Sequence, residues 1–279
     1  MLTDKQLKDR QLGIGGSDIP IIMGLSNYKT PYQLYLEKIG ALASKDEMSE
    51  AQYWGHKQEP MLREEFALKN SVAVELRDSA VHPEHSFLRG NLDGFIPEWN
   101  AVLEIKTASA FMESQLREDD PGPLLYQYLL QVAHYCIITN ADCAYIAVLI
   151  GGNQYRQFKY ERNTELEQGL IAAATKFWDG VTKKIPPQPI NQFDLRLMFP
   201  KHSPDKVMAA APPVLEQLSN LSETRFQIKK LNEIEEQHKF NIMQFMQDAE
   251  CLVDATGNPI VSWKADKRGS RRFLLKGER

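Results

Sequence analysis

The sequence predicts a mixed α/β (α+β) fold over residues 1–200, a sheet flanked by helices, followed over 201–279 by a helical extension with a basic, β-like tail. Three observations predict it. Segments of helical periodicity (51–70, 124–139, 164–181) alternate with short stretches that are either period-two or continuously apolar (72–76, 88–107, 141–160). The 279 residues are 43% hydrophobic and 25% charged, an ordinary globular balance with enough chain for one sizeable core plus an appendage. Past about residue 200 the apolar pattern becomes one long helical run.

Element by element, Gly13-Ile14-Gly15-Gly16-Ser17-Asp18 reads as a turn, with Ser17 or Asp18 able to cap a short helix over 19–23. Thr30 precedes a helix over 31–38 that has Pro31 at its first position and Gly40 as its stop. Residues 51–70 carry Trp54, Met61, Leu62, Phe66 and Leu68 at helical spacing. Val72, Val74 and Leu76 alternate as a strand, and 88–96 with 101–107 flank the turn Pro97-Glu98-Trp99-Asn100 as an antiparallel hairpin. An acidic, proline-containing loop over 117–123 leads to a helix over 124–139. A buried strand over 141–150 then turns at Gly151-Gly152 into its partner, 154–160. A helix over 164–181 follows, and Ile185-Pro186-Pro187-Gln188-Pro189 ends the compact part. Residues 214–252 predict one long helix or a helical pair. The tail from Pro259 alternates like strands around Gly269, and from Lys264 to Arg279 it holds seven positive and two negative residues, a local +5.

The net charge of −4 argues against a protein that coats nucleic acid along its whole surface, without excluding segregated basic patches. No run of eighteen apolar residues suggests a membrane span, and the opening MLTDKQLKDR lacks the apolar stretch of a signal peptide, so a cytoplasmic location without membrane contact is expected. Cys136, Cys143 and Cys251 have no metal-ligand spacing and are expected to be reduced.

One constellation carries chemistry. On a strand, Glu104 and Lys106 share a face while Leu103 and Ile105 point into the core, and Asp93 on the neighbouring strand can reach that face. Two carboxylates suit magnesium, a hard ion that prefers oxygen. A lysine beside them can orient water or offset charge at a phosphate. A Glu-x-Lys triplet alone is equally what a solvated sheet face looks like. Its companions separate the two: Asp93-Gly94, a short turn, then Leu103-Glu104-Ile105-Lys106-Thr107 is the pattern of the PD-(D/E)xK nucleases.

The wider series resembles the YqaJ-like phage recombinase family, relatives of the bacteriophage lambda exonuclease, over most of residues 8–181. Its further landmarks are the Gly13–Asp18 turn, Leu25-Ser26-Asn27-Tyr28-Lys29-Thr30-Pro31, Gly55-His56-Lys57-Gln58-Glu59-Pro60 and Tyr128-Leu129-Leu130-Gln131-Val132-Ala133-His134-Tyr135. The resemblance implies a restriction-endonuclease-like core. It implies that Glu59, Asp93, Glu104 and the Ile105 carbonyl hold Mg²⁺, with Mn²⁺ as a substitute and one or two ions per site, that Lys106 is catalytic, and that Gln131 supports the site. Arg10 and Ser17 match an arginine and serine that grip a 5′-phosphate. Asn91 stands near the same phosphate, where the lambda enzyme has a serine. Also implied are 5′-to-3′ digestion of linear double-stranded DNA from its ends, a single-strand annealing protein as partner, and a ring-shaped homo-oligomer such as a trimer. The competing expectations are a structure-selective or single-strand endonuclease on the same fold and a catalytically silent DNA-end-binding module. His56 and His134 are expected to be supporting or surface residues, Tyr128 and Tyr135 packing residues, and Lys57 a possible phosphate contact.

Overall fold

The computed structural model describes residues 11–42, 49–119 and 121–276. The chain folds as two compact units, Met1–Lys201 and His202–Arg279.

The first unit is built on a four-stranded sheet in the order β3-β4-β5-β6 (Gly94–Ile96, Ala101–Ala108, Cys143–Ile150, Gln154–Glu161). β4 and β5 are parallel and the outer pairs antiparallel. A parallel pair needs a crossover, and helix α4 (Pro123–Thr139) supplies it. The two faces of the sheet carry separate cores. Ala101, Leu103 and Ile105 of β4 pack with Leu62 and Phe66 of helix α3 (Glu50–Asn70). Val102 on the opposite face packs with α4, with helix α5 (Thr164–Lys183) and with α1 (Ile19–Ile22) and α2 (Pro31–Lys38). β4 is thus a central strand covered on both faces, which makes an apolar-charged alternation on it unusual.

Local chemistry explains most element ends. Thr30 and Gln33 exchange bonds across the first turn of α2 (Gln33 N to Thr30 Oγ1 3.1 Å, Thr30 N to Gln33 Oε1 2.8 Å), with Pro31 at the position where its missing N–H costs nothing. Ser49 caps α3 in the same way with Gln52. Gly151 and Gly152 both take positive φ, as the tight β5–β6 turn requires.

Several expectations need correction. Residues 72–76 form no strand. Only Glu75 bridges to Phe95, because β3 is a three-residue edge with little ladder to offer. The segment 88–96 is not one strand: Arg89–Gly90 (β2) pairs with Ala80–Val81 (β1), and the chain breaks at Asn91-Leu92-Asp93 before β3. The Gly13–Asp18 turn is a 3₁₀ turn over Gly16–Asp18. Neither Ser17 nor Asp18 caps the helix after it; the Asp18 carboxylate turns back to accept from Gly15 N–H (3.0 Å) and Lys38 Nζ (2.6 Å). A further 3₁₀ helix, Ala110–Gln115, follows β4. The compact part does not stop at Pro189. Helix α6 (Gln192–Met198) brings the fully buried Asp194 back to accept from Thr30 Oγ1 (2.7 Å) and Ile190 N–H (3.0 Å).

The second unit holds one 35-residue helix, α7 (Pro212–Met246), rather than a helical pair, and a three-stranded antiparallel sheet, β7-β8-β9 (Cys251–Val253, Pro259–Ala265, Arg271–Leu275). Met246, Val261 and Ser262 are its buried residues. The three cysteines are free. Among the described residues no helix is long and apolar enough to cross a membrane.

Candidate active site

The site forms where β3 stops short and leaves the edge of β4 open. The antiparallel pairing of β3 with β4 ends at Gly94↔Leu103, so Ile105 finds no strand partner on that side. The Asp93 side chain takes the place of the missing strand: its Oδ2 accepts from Ile105 N–H (2.8 Å). N–H and C=O of one strand residue leave on the same side of the strand, so the Ile105 carbonyl also faces Asp93.

On the α4 face of the same strand, Glu104 is 2% exposed. Its Oε1 accepts from Gln131 Nε2 (2.6 Å) and from Lys106 Nζ (2.5 Å). Gln131 uses its other amide hydrogen on the Tyr135 hydroxyl (3.0 Å). Glu104 Oε2 is buried and, among the described residues, has no hydrogen-bond partner. A buried carboxylate oxygen without a donor is costly unless a cation completes it. Burial and the neighbouring Asp93 charge push the Glu104 carboxyl up to about 8, against the pull of Lys106. Burial works against the Lys106 ammonium, but Glu104 and Asp93 outweigh it and hold that group above its ordinary value. Lys106 lies over the Tyr128 ring, 5.5 Å from its centroid.

From the other face, α3 contributes Glu59. Arg63, one turn on, donates through Nη2 to Glu59 Oε1 (2.5 Å) and through Nε to the Asp93 carbonyl (2.7 Å), tying helix to loop. Burial, then the Asp93 charge, raises the Glu59 carboxyl, with Arg63 and His56 pulling it back. His56 Nδ1 stands 3.7 Å from Glu59 Oε2. Three carboxylates therefore share one neighbourhood with an orphaned oxygen among them. Among the described residues no three His, Cys, Asp or Glu side chains are assembled into a ready cage. The available donor set is the Asp93 and Glu104 carboxylates with the Ile105 carbonyl, all hard oxygens, and it fits a hard divalent cation such as magnesium.

The N-terminal turn reaches the same place by contact with α4. A Cβ on Gly16 would lie 2.7 Å from the Tyr135 ring and 3.0 Å from Gln131 Cγ, and one on Gly90 would lie 2.6 Å from the same ring. Tyr135 is thus wedged between two glycines that no larger residue can replace. Ser17, next to Gly16, is exposed. Asn91 is exposed and accepts from Ser79 Oγ (2.5 Å). Arg10 lies outside the described residues. His134 is away from the carboxylates: it is buried, and its Nε2 is 3.0 Å from the Arg89 carbonyl. Lys57 lies over the Tyr53 ring at 5.5 Å. Sequence reasoning missed Arg63, though its i,i+4 spacing from Glu59 placed both on one helix face.

Residues 5–142 match the model of the YqaJ-like viral recombinase domain. The uncharacterized protein YqaJ of Bacillus subtilis (strain 168) is 37% identical over 182 residues, 64% of this chain and 56% of that protein. The chain therefore spans a little over half the length of that relative. Among solved structures, an alkaline exonuclease (LHK-Exo) from Laribacter hongkongensis superposes with a TM-score of 0.56 at 17% identity, over 66% of this chain and 94% of that one. The same protein in complex with dAMP gives 0.52 at 16%, over 65% and 94%. At these identities the likeness is one of fold alone, a mixed sheet flanked by helices. Over residues 5–142, just under half of its length, the chain is similar to the YqaJ-like viral recombinase domain.

Proposed function

We propose that this protein is a magnesium-dependent deoxyribonuclease that degrades linear double-stranded DNA from its ends, 5′ to 3′, in phage-type recombination by single-strand annealing. The observation that carries the reading is the divided Glu104 carboxylate. One oxygen is fixed by Gln131 and Lys106, the other is buried and unpartnered among the described residues, and the carboxyl as a whole feels the Asp93 charge. The family match and the exonuclease fold support the substrate class.

Asp93, Glu104 and the Ile105 carbonyl would hold the ion, with Glu59 completing the site from α3. Bound magnesium, or manganese in its place, would supply Lewis acidity to the scissile phosphate and a more acidic water. The residues do the rest. Gln131 and Lys106 fix Glu104 Oε1, so its Oε2 is aimed rather than free to rotate. Arg63 holds Glu59 and the Asp93 loop in register. Lys106, kept as an ammonium by its two carboxylate neighbours, offsets charge on the phosphate and orients the attacking water. The water oxygen bonds to phosphorus, the P–O3′ bond breaks, the water gives up a proton and the 3′ oxygen takes one. Each cut leaves a new 5′-phosphate. Ser17, Arg10 and Asn91 are the residues proposed to meet it. A ring of copies, such as a trimer, would keep the protein on its duplex between cuts.

The test uses end-labelled linear duplexes with and without a 5′-phosphate, nicked and closed circles, and Mg²⁺ against Ca²⁺. Linear DNA disappears only with Mg²⁺, closed circles survive, and Glu104→Gln or Lys106→Ala loses at least about 100-fold in rate. Full activity in both variants removes the site assignment. Closed circles cut as fast as linear DNA make the protein an endonuclease, and duplex binding without any Mg²⁺-dependent product makes it an end-binding module.

A further inference from the structure

The second unit contains two consecutive hairpin turns of the same build, and they differ in one informative way. In the β7–β8 turn, Asp254-Ala255-Thr256-Gly257-Asn258, Asp254 Oδ1 accepts from Thr256 N–H (2.8 Å) and Asn258 N–H (3.0 Å). Asp254 N–H donates to the Asn258 carbonyl (2.9 Å) and Gly257 N–H to the Asp254 carbonyl (3.0 Å). In the β8–β9 turn, Asp266-Lys267-Arg268-Gly269-Ser270, Asp266 Oδ1 accepts from Arg268 N–H (2.8 Å) and Ser270 N–H (3.0 Å). Asp266 N–H donates to the Ser270 carbonyl (2.8 Å) and Gly269 N–H to the Asp266 carbonyl (3.0 Å). The glycines take φ of +87° and +81°. The shared Asp and Gly are what the turn needs. The two residues between them are not, since one turn forms with Ala-Thr and the other with Lys-Arg.

The strands behind the second turn raise the same question. Lys264 and Arg272 are direct cross-strand partners, and like charges so placed repel. Lys264 has a solvent-exposed contact with Glu250 (3.1 Å); among the described residues Lys267, Arg268, Arg272 and Lys276 have no carboxylate partner. Arg271 is different. It lies on the Trp263 ring (3.6 Å) and donates to the carbonyls of Trp263, Gln247 and Ala249, so it is consumed in tying the sheet to the end of α7. The hairpin thus separates one structural arginine from an exposed set of cations that the fold does not require.

We propose that this hairpin grips the phosphate backbone of duplex DNA, with Lys267 and Arg268 at its tip and Lys264 and Arg272 on its strand face. The choice of duplex DNA rests on the nuclease reading of the first unit; the cationic grip does not. A duplex offers one negative charge per ~1.7 Å of axis, which matches closely spaced cations on a ribbon. The tip, Lys267-Arg268-Gly269, has no apolar side chain to insert into a bilayer.

The experiment measures equilibrium binding of a fluorescent blunt duplex to the full chain, with Ca²⁺ replacing Mg²⁺ so that cleavage is not needed, from low to physiological salt. The double variant Lys267→Ala/Arg268→Thr gives the second turn the two tip residues of its twin and keeps the Asp266 and Gly269 that both turns share, with Ser270 standing where the twin has Asn258. It binds about tenfold more weakly, and the slope of log affinity against log salt flattens by about 2, one contact per lost cation. Lys264→Gln/Arg272→Gln shifts both in the same direction. Unchanged affinity and slope in both pairs overturn the proposal. Loss of binding to phosphatidylserine vesicles with duplex binding intact also overturns it, in favour of a lipid surface. Failure of the nuclease reading has a separate signature, wild-type protein that binds duplex in Ca²⁺ but releases no product in Mg²⁺.

Discussion

Glu104 and Glu167 are both buried in the first unit, 2% and 5% exposed, and each has a cation beside it. Glu167 is saturated. Arg162 donates to both of its oxygens, and the Tyr160 hydroxyl donates to Oε1 at 2.9 Å. Arg162 uses a further N–H on the Ala141 carbonyl (2.8 Å), so the cluster locks β6, the start of α5 and the loop before β5 together. Glu104 has one oxygen satisfied and one orphaned, and its nearest charged company includes Asp93 and Glu59 as well as Lys106. A fold that satisfies one buried carboxylate fully and leaves another half-open has the local instability that the proposed cation would relieve. The difference separates a scaffold ion pair from a site.

That contrast breaks most sharply at Glu104→Gln. Alongside the loss of cleavage, the metal-free variant should be the more stable protein at pH 8. The sign follows from linkage. The folded carboxyl titrates near 8 against an ordinary 4.5, so between those values the folded state binds the extra proton. Wild-type stability is therefore highest at the acid end of that window and falls, by an amount of order a few kcal/mol, as pH rises through it. Thermal melts in EDTA should show this slope in wild type and not in the variant, and Mg²⁺ should raise the wild-type melting temperature while leaving the variant unmoved. A variant less stable than wild type at pH 8 in EDTA would mean that Glu104 is a scaffold residue like Glu167.

The carboxylate–lysine strand was legible because a period-two pattern fixes which side chains share a face, whatever the tertiary structure. Asp93, Glu104 and Lys106 came from that pattern, and Gln131 and Glu59 from the ordered resemblance around it. What sequence did not display was burial. Glu104-x-Lys106 and Lys264 opposite Arg272 look alike as charged strand residues, yet β4 is covered on both faces and the β8–β9 ribbon is largely open. Residues 72–76 alternated without becoming a strand, because edge pairing depends on a partner fixed far away in sequence. The break at Asn91–Asp93 is a tertiary effect of the same kind: Asp93 serves the β4 backbone with its side chain instead of continuing the strand. Helix α6 was hidden because its anchor, Asp194 to Thr30, spans most of the first unit.

The converse perturbation, Glu167→Ala, should leave chemistry alone and cost stability. Removing one partner of a buried pair strands the other. The Arg162 side chain is a third exposed, so water recovers part of the loss, and about 2 kcal/mol is expected. Urea titration at constant m should show it, with the cleavage rate below the melting transition within about twofold of wild type. A rate loss as large as that of Glu104→Gln would merge the two glutamates into one functional network.

The smallest effect belongs to His134, the buried imidazole that α4 presents to the Arg89 carbonyl of β2. Its Nε2 meets the Arg89 carbonyl, which can only accept, so the ring is the Nε2–H tautomer. Burial pulls its pKa down to about 4, with the Arg89 carbonyl and the Asp18 charge opposing and His82 adding to the fall. The folded state therefore binds fewer protons than the unfolded chain between about 4 and the ordinary 6.5, so this group stabilises the fold above that window and loses its contribution as pH falls through it. In wild type the slope is masked, because Glu104 runs the opposite way over the overlapping range. The Glu104→Gln background removes that part of the mask, leaving the raised Glu59 carboxyl as the remaining opposing group. Melts of that variant should fall from pH 6.5 toward 4 by roughly 1–2 kcal/mol, and adding His134→Phe should flatten the curve. A slope that survives His134→Phe would assign the acid sensitivity to another buried group and leave His134 as packing alone.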